Sequence, residues 1–130
     1  MTYHAVVWLD HRAAKIIAFN MRDNERAVQQ VHDHAPARIH HKAGTMGSGH
    51  VQEDPSYFRE IADKLQAFQE VLVLGPAEAR TALMNYVRRQ YPKLALHILG
   101  SETCAPESEG EIVETARQFF RHADRMTPQT

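Results

Sequence analysis

The sequence predicts a three-layer α/β domain, in which a mixed five-stranded sheet of order 3-2-1-4-5 carries helices on both faces. Three observations support this prediction. Three short strand patterns separated by turns open the chain, as in an antiparallel meander. A continuous apolar run near the middle is typical of a buried parallel strand. Helical periodicity flanks that run, which indicates right-handed crossover connections. The length of 130 residues corresponds to one domain.

The N-terminal strands are predicted from alternating apolar side chains. The three strands span residues 3–10, 14–19 and 26–32. Tight turns are expected at residues 10–13 and 21–24, where Asp, Asn and Arg interrupt the apolar pattern. The first strand is apolar on both faces and should be central. The third strand is more polar and should lie at an edge of the sheet.

The remaining elements alternate between helix and strand. Asp54 and Pro55 have the residue types of an N-cap and a first helical position. The apolar face of this first helix has five members: Phe58, Ile61, Ala62, Leu65 and Phe68. Residues 71–74 form the fourth predicted strand. Gly75 and Pro76 then turn the chain into a second helix that Pro92 ends. The second helix presents a similar face: Ala79, Ala82, Leu83, Tyr86 and Val87.

The C-terminal part is predicted to hold a fifth strand at residues 94–100 and a last helix. Ser108 and Glu111 have the spacing of a capping box for this helix. Its apolar face is expected to comprise Ile112, Ala116, Phe119, Phe120 and Ala123. The element order is βββαβαβα, the layout of ribonuclease H-like domains. We expect one domain over residues 1–125, with a long loop at 34–54 and a frayed tail at 126–130.

Composition excludes several classes of protein. The formal charge of −1 gives no overall field for a nucleic-acid partner, so RNA binding would need a local basic patch. Cys104 is the only cysteine, which excludes an intramolecular disulfide and suits a reducing compartment. The sequence has no signal-peptide pattern and no membrane-length apolar run. We therefore expect a cytoplasmic protein without a membrane partner.

The loop at residues 34–54 holds the first candidate contact group. Arg38, His40, His41 and Lys42 precede a glycine-rich stretch at residues 44–49. Flexible glycines beside cations suit docking onto a ribose-phosphate backbone. The stretch is not a P-loop, because no lysine follows the last glycine and no strand directly precedes it.

A second basic group lies on the predicted second helix and directly after it: Arg80, Arg88, Arg89 and Lys93. The simpler interpretation is a solvated helix face, and the sequence does not decide between the two. We take Arg80, Arg88 and Arg89 as candidate phosphate contacts.

The residues that suggest metal, nuclease or thiol chemistry each have a simpler interpretation. Five histidines lie in or near the loop, but their spacing matches no standard zinc site, so we expect no metal and no other cofactor. These histidines are His32, His34, His40, His41 and His50. Asp10 has no carboxylate partners for a two-metal nuclease and is expected to form a turn. Cys104 has acidic neighbours, which disfavour a thiolate, so it is expected to be incidental.

The order of motifs resembles the middle domain of archaeal and eukaryotic class-1 peptide-chain release factors and of Pelota. Four segments carry the resemblance: residues 9–16, which are similar to the family's Asp-x-Arg-Glu-Ala hairpin; the long loop running into residues 57–61; residues 71–80, which are similar to its strand, Gly-Pro-Gly turn and helix; and residues 98–103 followed by 109–112. Together they span nearly the whole chain, which looks like a short bacterial stand-alone member of this group. The resemblance implies a ribonuclease H-like fold and a ribosomal, rRNA or tRNA partner.

The loop departs from the family's catalytic pattern. Release factors carry Gly-Gly-Gln there, whereas this chain has Gly47-Ser48-Gly49-His50, and Gln52 lacks a preceding glycine pair. The sequence therefore favours a non-catalytic ribosome- or RNA-associated module. Two alternatives stay open: a peptidyl-tRNA or ester hydrolase that uses His50 or Gln52, and a metal-binding protein that uses the histidine loop.

Overall fold

The computed structural model describes residues 4–22, 25–32, 55–105 and 108–126. Its strands are β1 (His4–Leu9), β2 (Ala13–Phe19), β3 (Arg26–His32), β4 (Glu70–Leu74) and β5 (Ile98–Glu102). Its helices are α1 (Pro55–Leu65), α2 (Ala77–Gln90), α3 (Pro92–Ala95) and α4 (Glu109–Met126). The predicted loop at 34–54 and residues 127–130 of the predicted tail lie outside the described residues. Met126, where the tail was expected to begin, still belongs to α4.

The sheet has the predicted order, β3-β2-β1-β4-β5. β1 pairs antiparallel with β2, and β2 pairs antiparallel with β3, which forms the meander. β4 runs parallel to β1 and β5 runs parallel to β4. β1 is therefore central, whereas β3 and β5 lie at the two edges. The apolar sequence of β4 follows from its position, because Val71, Leu72, Val73 and Leu74 are fully buried between two helical layers.

Helices cover both faces of the sheet, as predicted. Ala5, Val7 and Leu9 of β1 belong to the core cluster that contains the apolar sides of α1 and α2. Val6 belongs to a second cluster on the opposite face, together with Ile112, Val113, Ala116 and Phe120 of α4. The alternation along β1 thus divides the core into two layers, one on each side of the sheet.

The predicted start of β5 was wrong by four residues. Leu94 lies in the one-turn helix α3, and β5 begins at Ile98. Pro92 occupies the first turn of α3, where its fixed φ suits a helix and its missing N–H costs nothing. His97 N–H donates to the Leu94 carbonyl at 2.8 Å, which closes the turn before the strand. A short apolar run fits a buried helical turn as well as a strand, so periodicity alone misplaced the boundary.

Two predicted core faces also differ in detail. Tyr57, which was not among the predicted core residues, is 1% exposed on α1. On α4, Val113 is buried, whereas Phe119 is only partly buried. The buried face of α1 is therefore wider than predicted, and the buried face of α4 is rotated from the predicted one.

Candidate nucleic-acid interface

The carboxyl ends of β1, β4 and β5 lie together at one end of the sheet, across the strands, because these three strands are parallel. Residues 10–13, 75–80 and 101–104 lie there, and we name this region the carboxyl edge. Ligands of open α/β sheets bind most often outside the carboxyl ends of the strands. The region is therefore the first place to look for a binding site.

The described residues on either side of segment 33–54 lie at the carboxyl edge. His32, the last residue of β3, pairs with Ala13 at the start of β2. After the segment, α1 begins at the same edge, where the Tyr57 hydroxyl donates to the Asp10 carbonyl oxygen at 3.0 Å. The contact residues predicted from the sequence fall between these two points of the chain. These residues lie outside the described part of the chain: Arg38, His40, His41, Lys42, His50 and Gln52.

The hairpin between β1 and β2 is held by Asp10. Its carboxylate oxygen Oδ1 accepts hydrogen bonds from the backbone N–H groups of Arg12 at 2.8 Å and Ala13 at 2.9 Å. The Asp10 N–H donates to the Ala13 carbonyl at 3.0 Å. The predicted role of Asp10 as a turn residue is confirmed. His11 and Arg12 are exposed at the tip of this hairpin.

Gly75 allows the end of β4 to approach β1 closely. Its φ is +139°, a backbone conformation that residues other than glycine rarely adopt. A Cβ atom at this position would lie 2.1 Å from the Leu9 carbonyl oxygen. Pro76 follows in an extended conformation and precedes the first residue of α2. Gly75 and Pro76 therefore turn the chain sharply and place the N-terminus of α2 at the carboxyl edge.

Arg80 connects three parts of the carboxyl edge. Its Nε donates to the Gly75 carbonyl at 2.8 Å, Nη1 donates to Ser101 Oγ at 2.7 Å, and Nη2 donates to Thr103 Oγ1 at 2.7 Å. Ser101 and Thr103 are exposed, and Arg80 is partly buried. One candidate phosphate contact from the sequence is thus fixed in place beside two hydroxyl groups.

Further contacts join the residues after β5 to β1, and the hairpin tip to α2. Trp8 Nε1 donates to the Cys104 carbonyl at 3.0 Å, and the Cys104 thiol donates to the Ala105 carbonyl at 3.3 Å. His11 Nε2 lies 3.7 Å from Glu78 Oε1, which joins the hairpin tip to the first turn of α2. These contacts hold the three segments of the carboxyl edge together.

Arg88 and Arg89 lie at the other end of α2, in its last turn. Both side chains are exposed, as is Lys93. Eight positions along a helix separate Arg80 from Arg88 by about 12 Å. Adjacent residues also point about 100° apart around the axis. The basic group predicted from the sequence is therefore divided, with Arg80 at the carboxyl edge and the other cations away from it.

Sequence reasoning missed Ser101, Thr103 and Tyr57 as parts of this region. No sequence signal pointed to Ser101 and Thr103, because the predicted fifth strand ended at residue 100, whereas β5 continues to Glu102. Among the described residues, no group of three or more His, Cys, Asp or Glu side chains could hold a metal ion. None of the helices in the described ranges is long and apolar enough to cross a bilayer.

Solved structures of translation factors share this fold. A Pelota protein from Thermoplasma acidophilum matches with a TM-score of 0.58 and 20% identity over 87% of this chain. An archaeal translation termination factor, aRF1, matches at 0.59 and 14% over 95%. Dom34 of S. cerevisiae, a translation termination-like factor involved in RNA quality control pathways, matches at 0.56 and 11% over 95%.

This chain spans about a third of the length of those proteins, at 31%, 38% and 36% of each respectively. No protein-family model and no curated protein matches the sequence. At these identities the comparisons show the fold. The resemblance to Pelota and the release factors, drawn from four sequence segments, is confirmed at that level.

Proposed function

We propose that this chain is a ribosome- or RNA-associated module with a role in translation, and that it binds without catalysing a reaction. The carboxyl edge is its contact surface. The observation that carries the proposal is that the described residues flanking segment 33–54, His32 and Tyr57, lie at the same carboxyl edge as Arg80. The shared fold with Pelota, Dom34 and aRF1 supports a translation-related role and makes the ribosome, rRNA or tRNA the expected partner.

The chemistry of the edge suits a phosphate backbone. Segment 33–54 carries Arg38 and Lys42, and the described part of the edge carries Arg12 and Arg80. Cations that neutralise phosphates release counterions, so binding weakens as salt is added. Arg88 and Arg89 would form a second contact at the far end of α2. A protein with a formal charge of −1 depends on such local groups for RNA binding.

The proposal is tested by measuring affinity for a labelled single-stranded RNA over a range of salt concentrations. The Arg38→Ala, Lys42→Ala double variant should bind more weakly and show a flatter slope of log affinity against log salt. Each lost phosphate contact lowers the slope by about 0.7 for a single strand. Arg121→Ala is the matched control, because Arg121 is exposed on the outer side of α4. Equal slopes for wild type, double variant and control would refute the proposal.

A hydrolase is the second candidate, because Gly47-Ser48-Gly49-His50 stands where the resemblance places the catalytic tripeptide of release factors. In that case His50→Ala or Gln52→Ala would abolish release of peptide from peptidyl-tRNA and leave RNA affinity little changed. The binding proposal predicts no turnover by wild type, with ribosomes present or absent. Turnover that disappears in either variant would replace the binding proposal with the hydrolase.

A further inference from the structure

We propose that Arg80, Ser101 and Thr103 form a phosphate-binding subsite at the carboxyl edge. Its ligand would be one phosphate of an RNA backbone, so the identity of the natural ligand rests on the proposed function. The capacity of the three side chains to hold a phosphate group does not rest on it. It follows from the geometry of the guanidinium and the two hydroxyl groups.

The subsite is assembled by the sheet and by α2. Ser101 lies in β5 and Thr103 is the first residue after it, and both hydroxyl groups face Arg80. Arg80 reaches both from the first turns of α2, with 2.7 Å between the nitrogen and oxygen atoms in each case. The third bond, from Nε to the Gly75 carbonyl at 2.8 Å, fixes the plane of the guanidinium.

Hydrogen-bond donors remain after these contacts. A guanidinium has five N–H groups, and the three bonds above use three of them. Each hydroxyl accepts a bond from Arg80, which leaves its own proton able to donate elsewhere. The cluster therefore presents a positive charge flanked by two hydroxyl donors, all on partly buried or exposed residues. A phosphate group offers only acceptors and a negative charge, so it matches this donor set.

The surroundings contribute charges of both signs. The N-terminus of the 14-residue helix α2 lies at the same edge, and its Pro76 cap makes no side-chain hydrogen bond. The unpaired N–H groups of a helix start favour an anion. Glu78 is 90% exposed and opposes an anion, although it lies 3.7 Å from His11. Replacing Glu78 with Gln should therefore strengthen phosphate binding.

The alternative interpretation is that Arg80 has only a structural role and holds α2 against the end of β5. The two interpretations differ in what the hydroxyl groups do. A purely structural role needs the two hydroxyl groups only as acceptors and predicts no response to phosphate. A subsite needs them as donors to a ligand, so removing them should lower affinity for phosphate even where the fold is intact.

The test is a titration of the full chain with inorganic pyrophosphate, followed by amide and guanidinium NMR signals. The wild type should show saturable shifts at residues 75–80 and 101–103. The Ser101→Ala, Thr103→Val double variant should weaken binding at least about tenfold, as expected for lost hydrogen bonds to a charged group. Thr81→Val is the matched hydroxyl control and Arg121→Ala is the charge control, because both residues are exposed and belong to neither proposed contact group.

The outcomes separate the subsite from the proposed function. Saturable shifts that weaken in the double variant and persist in both controls would support the subsite, whether or not the protein binds RNA. The subsite would be overturned if pyrophosphate left the wild-type spectrum unchanged. Shifts around Arg88 and Arg89 as large as those at residues 75–80 and 101–103 would overturn it as well. The hydroxyl double variant decides the question without a change at Arg80, because it keeps the charge and the Arg80 bond to the Gly75 carbonyl. RNA binding without pyrophosphate shifts would retain the proposed function and remove the subsite.

Discussion

At the residue scale, two glycines have different reasons for being glycine. Gly75 is required by its backbone, because its φ is +139° and a Cβ would meet the Leu9 carbonyl oxygen. At Gly100 the obstacle is a side chain, since a Cβ would lie 2.4 Å from the Phe119 ring atom Cζ. The Phe119 ring is only partly buried and can rotate away, whereas the backbone of central strand β1 cannot move.

Gly75→Ala should therefore destabilise the fold more than Gly100→Ala. The backbone conformation at Gly75 alone costs an alanine about 1–3 kcal/mol, and the contact with Leu9 adds to that cost. The free energy of unfolding, measured by chemical denaturation, provides the comparison. An equal or smaller loss for Gly75→Ala would show that the end of β4 can move away from β1.

Individual residues show what sequence reasoning can and cannot predict. Asp10 was predicted to form a turn because its side chain can accept nearby backbone N–H groups, and both bonds are present. Arg80 was predicted as a phosphate contact from charge alone. Its bonds to Ser101 and Thr103 join residues more than 20 positions apart and depend on the pairing of β4 with β5. The register of that pairing shifts between Val71 and Leu72, which no local sequence pattern predicts.

At the element scale, the start of α4 is encoded by two residues. Ser108 Oγ accepts from the Glu111 N–H at 3.2 Å, and Glu111 Oε1 accepts from the Ser108 N–H at 3.1 Å. This is the capping box predicted from the spacing of serine and glutamate. Local signals of this kind are readable from sequence because all the partners lie within one helical turn.

Ser108→Ala should lower the free energy of unfolding by about 1 kcal/mol, the usual cost of losing an N-cap. Ser108→Asp should retain most of the stability, because aspartate is an equally good cap. Thermal or chemical denaturation of the three proteins measures the effect. If the alanine variant matches wild type, packing against the sheet alone holds the first turn of α4.

The contact between α1 and the end of α2 should make stability depend on alkaline pH. The Tyr91 hydroxyl donates to Asp63 Oδ1 at 2.9 Å. Partial burial and this hydrogen bond raise the pKa of Tyr91 above its ordinary value of 10.0. The folded state therefore holds the phenol proton more tightly than the unfolded state does. The stabilisation is complete below pH 10 and is lost as the pH rises through the higher pKa of the folded protein.

Tyr91→Phe removes this titration and should flatten the loss of stability above pH 10. Urea denaturation of wild type and Tyr91→Phe at several pH values between 8 and 11 measures the effect. An identical alkaline slope for wild type and Tyr91→Phe would show that the Tyr91 hydrogen bond carries no linked stability.

At the scale of the whole molecule, the strand order followed from the sequence because connection rules leave few alternatives. Three strands joined by short turns form a meander, and each βα unit must return right-handed to a parallel strand. The boundary at Leu94 was less predictable, since a buried leucine beside a proline suits a helical turn or a strand. The carboxyl edge could not be predicted in detail, because it is assembled from three segments far apart in the chain.

Association with ribosomes or their RNA, through cations at the carboxyl edge, is the main function proposed for this chain. This association can be measured by sedimentation of the tagged protein with ribosomes through a sucrose gradient at increasing salt. We predict that wild type and Arg121→Ala migrate with the ribosomal fractions at low salt and are released progressively as salt rises. The Arg38→Ala, Lys42→Ala variant should be released at lower salt. Wild-type protein that stays at the top of the gradient at every salt concentration would contradict the claim.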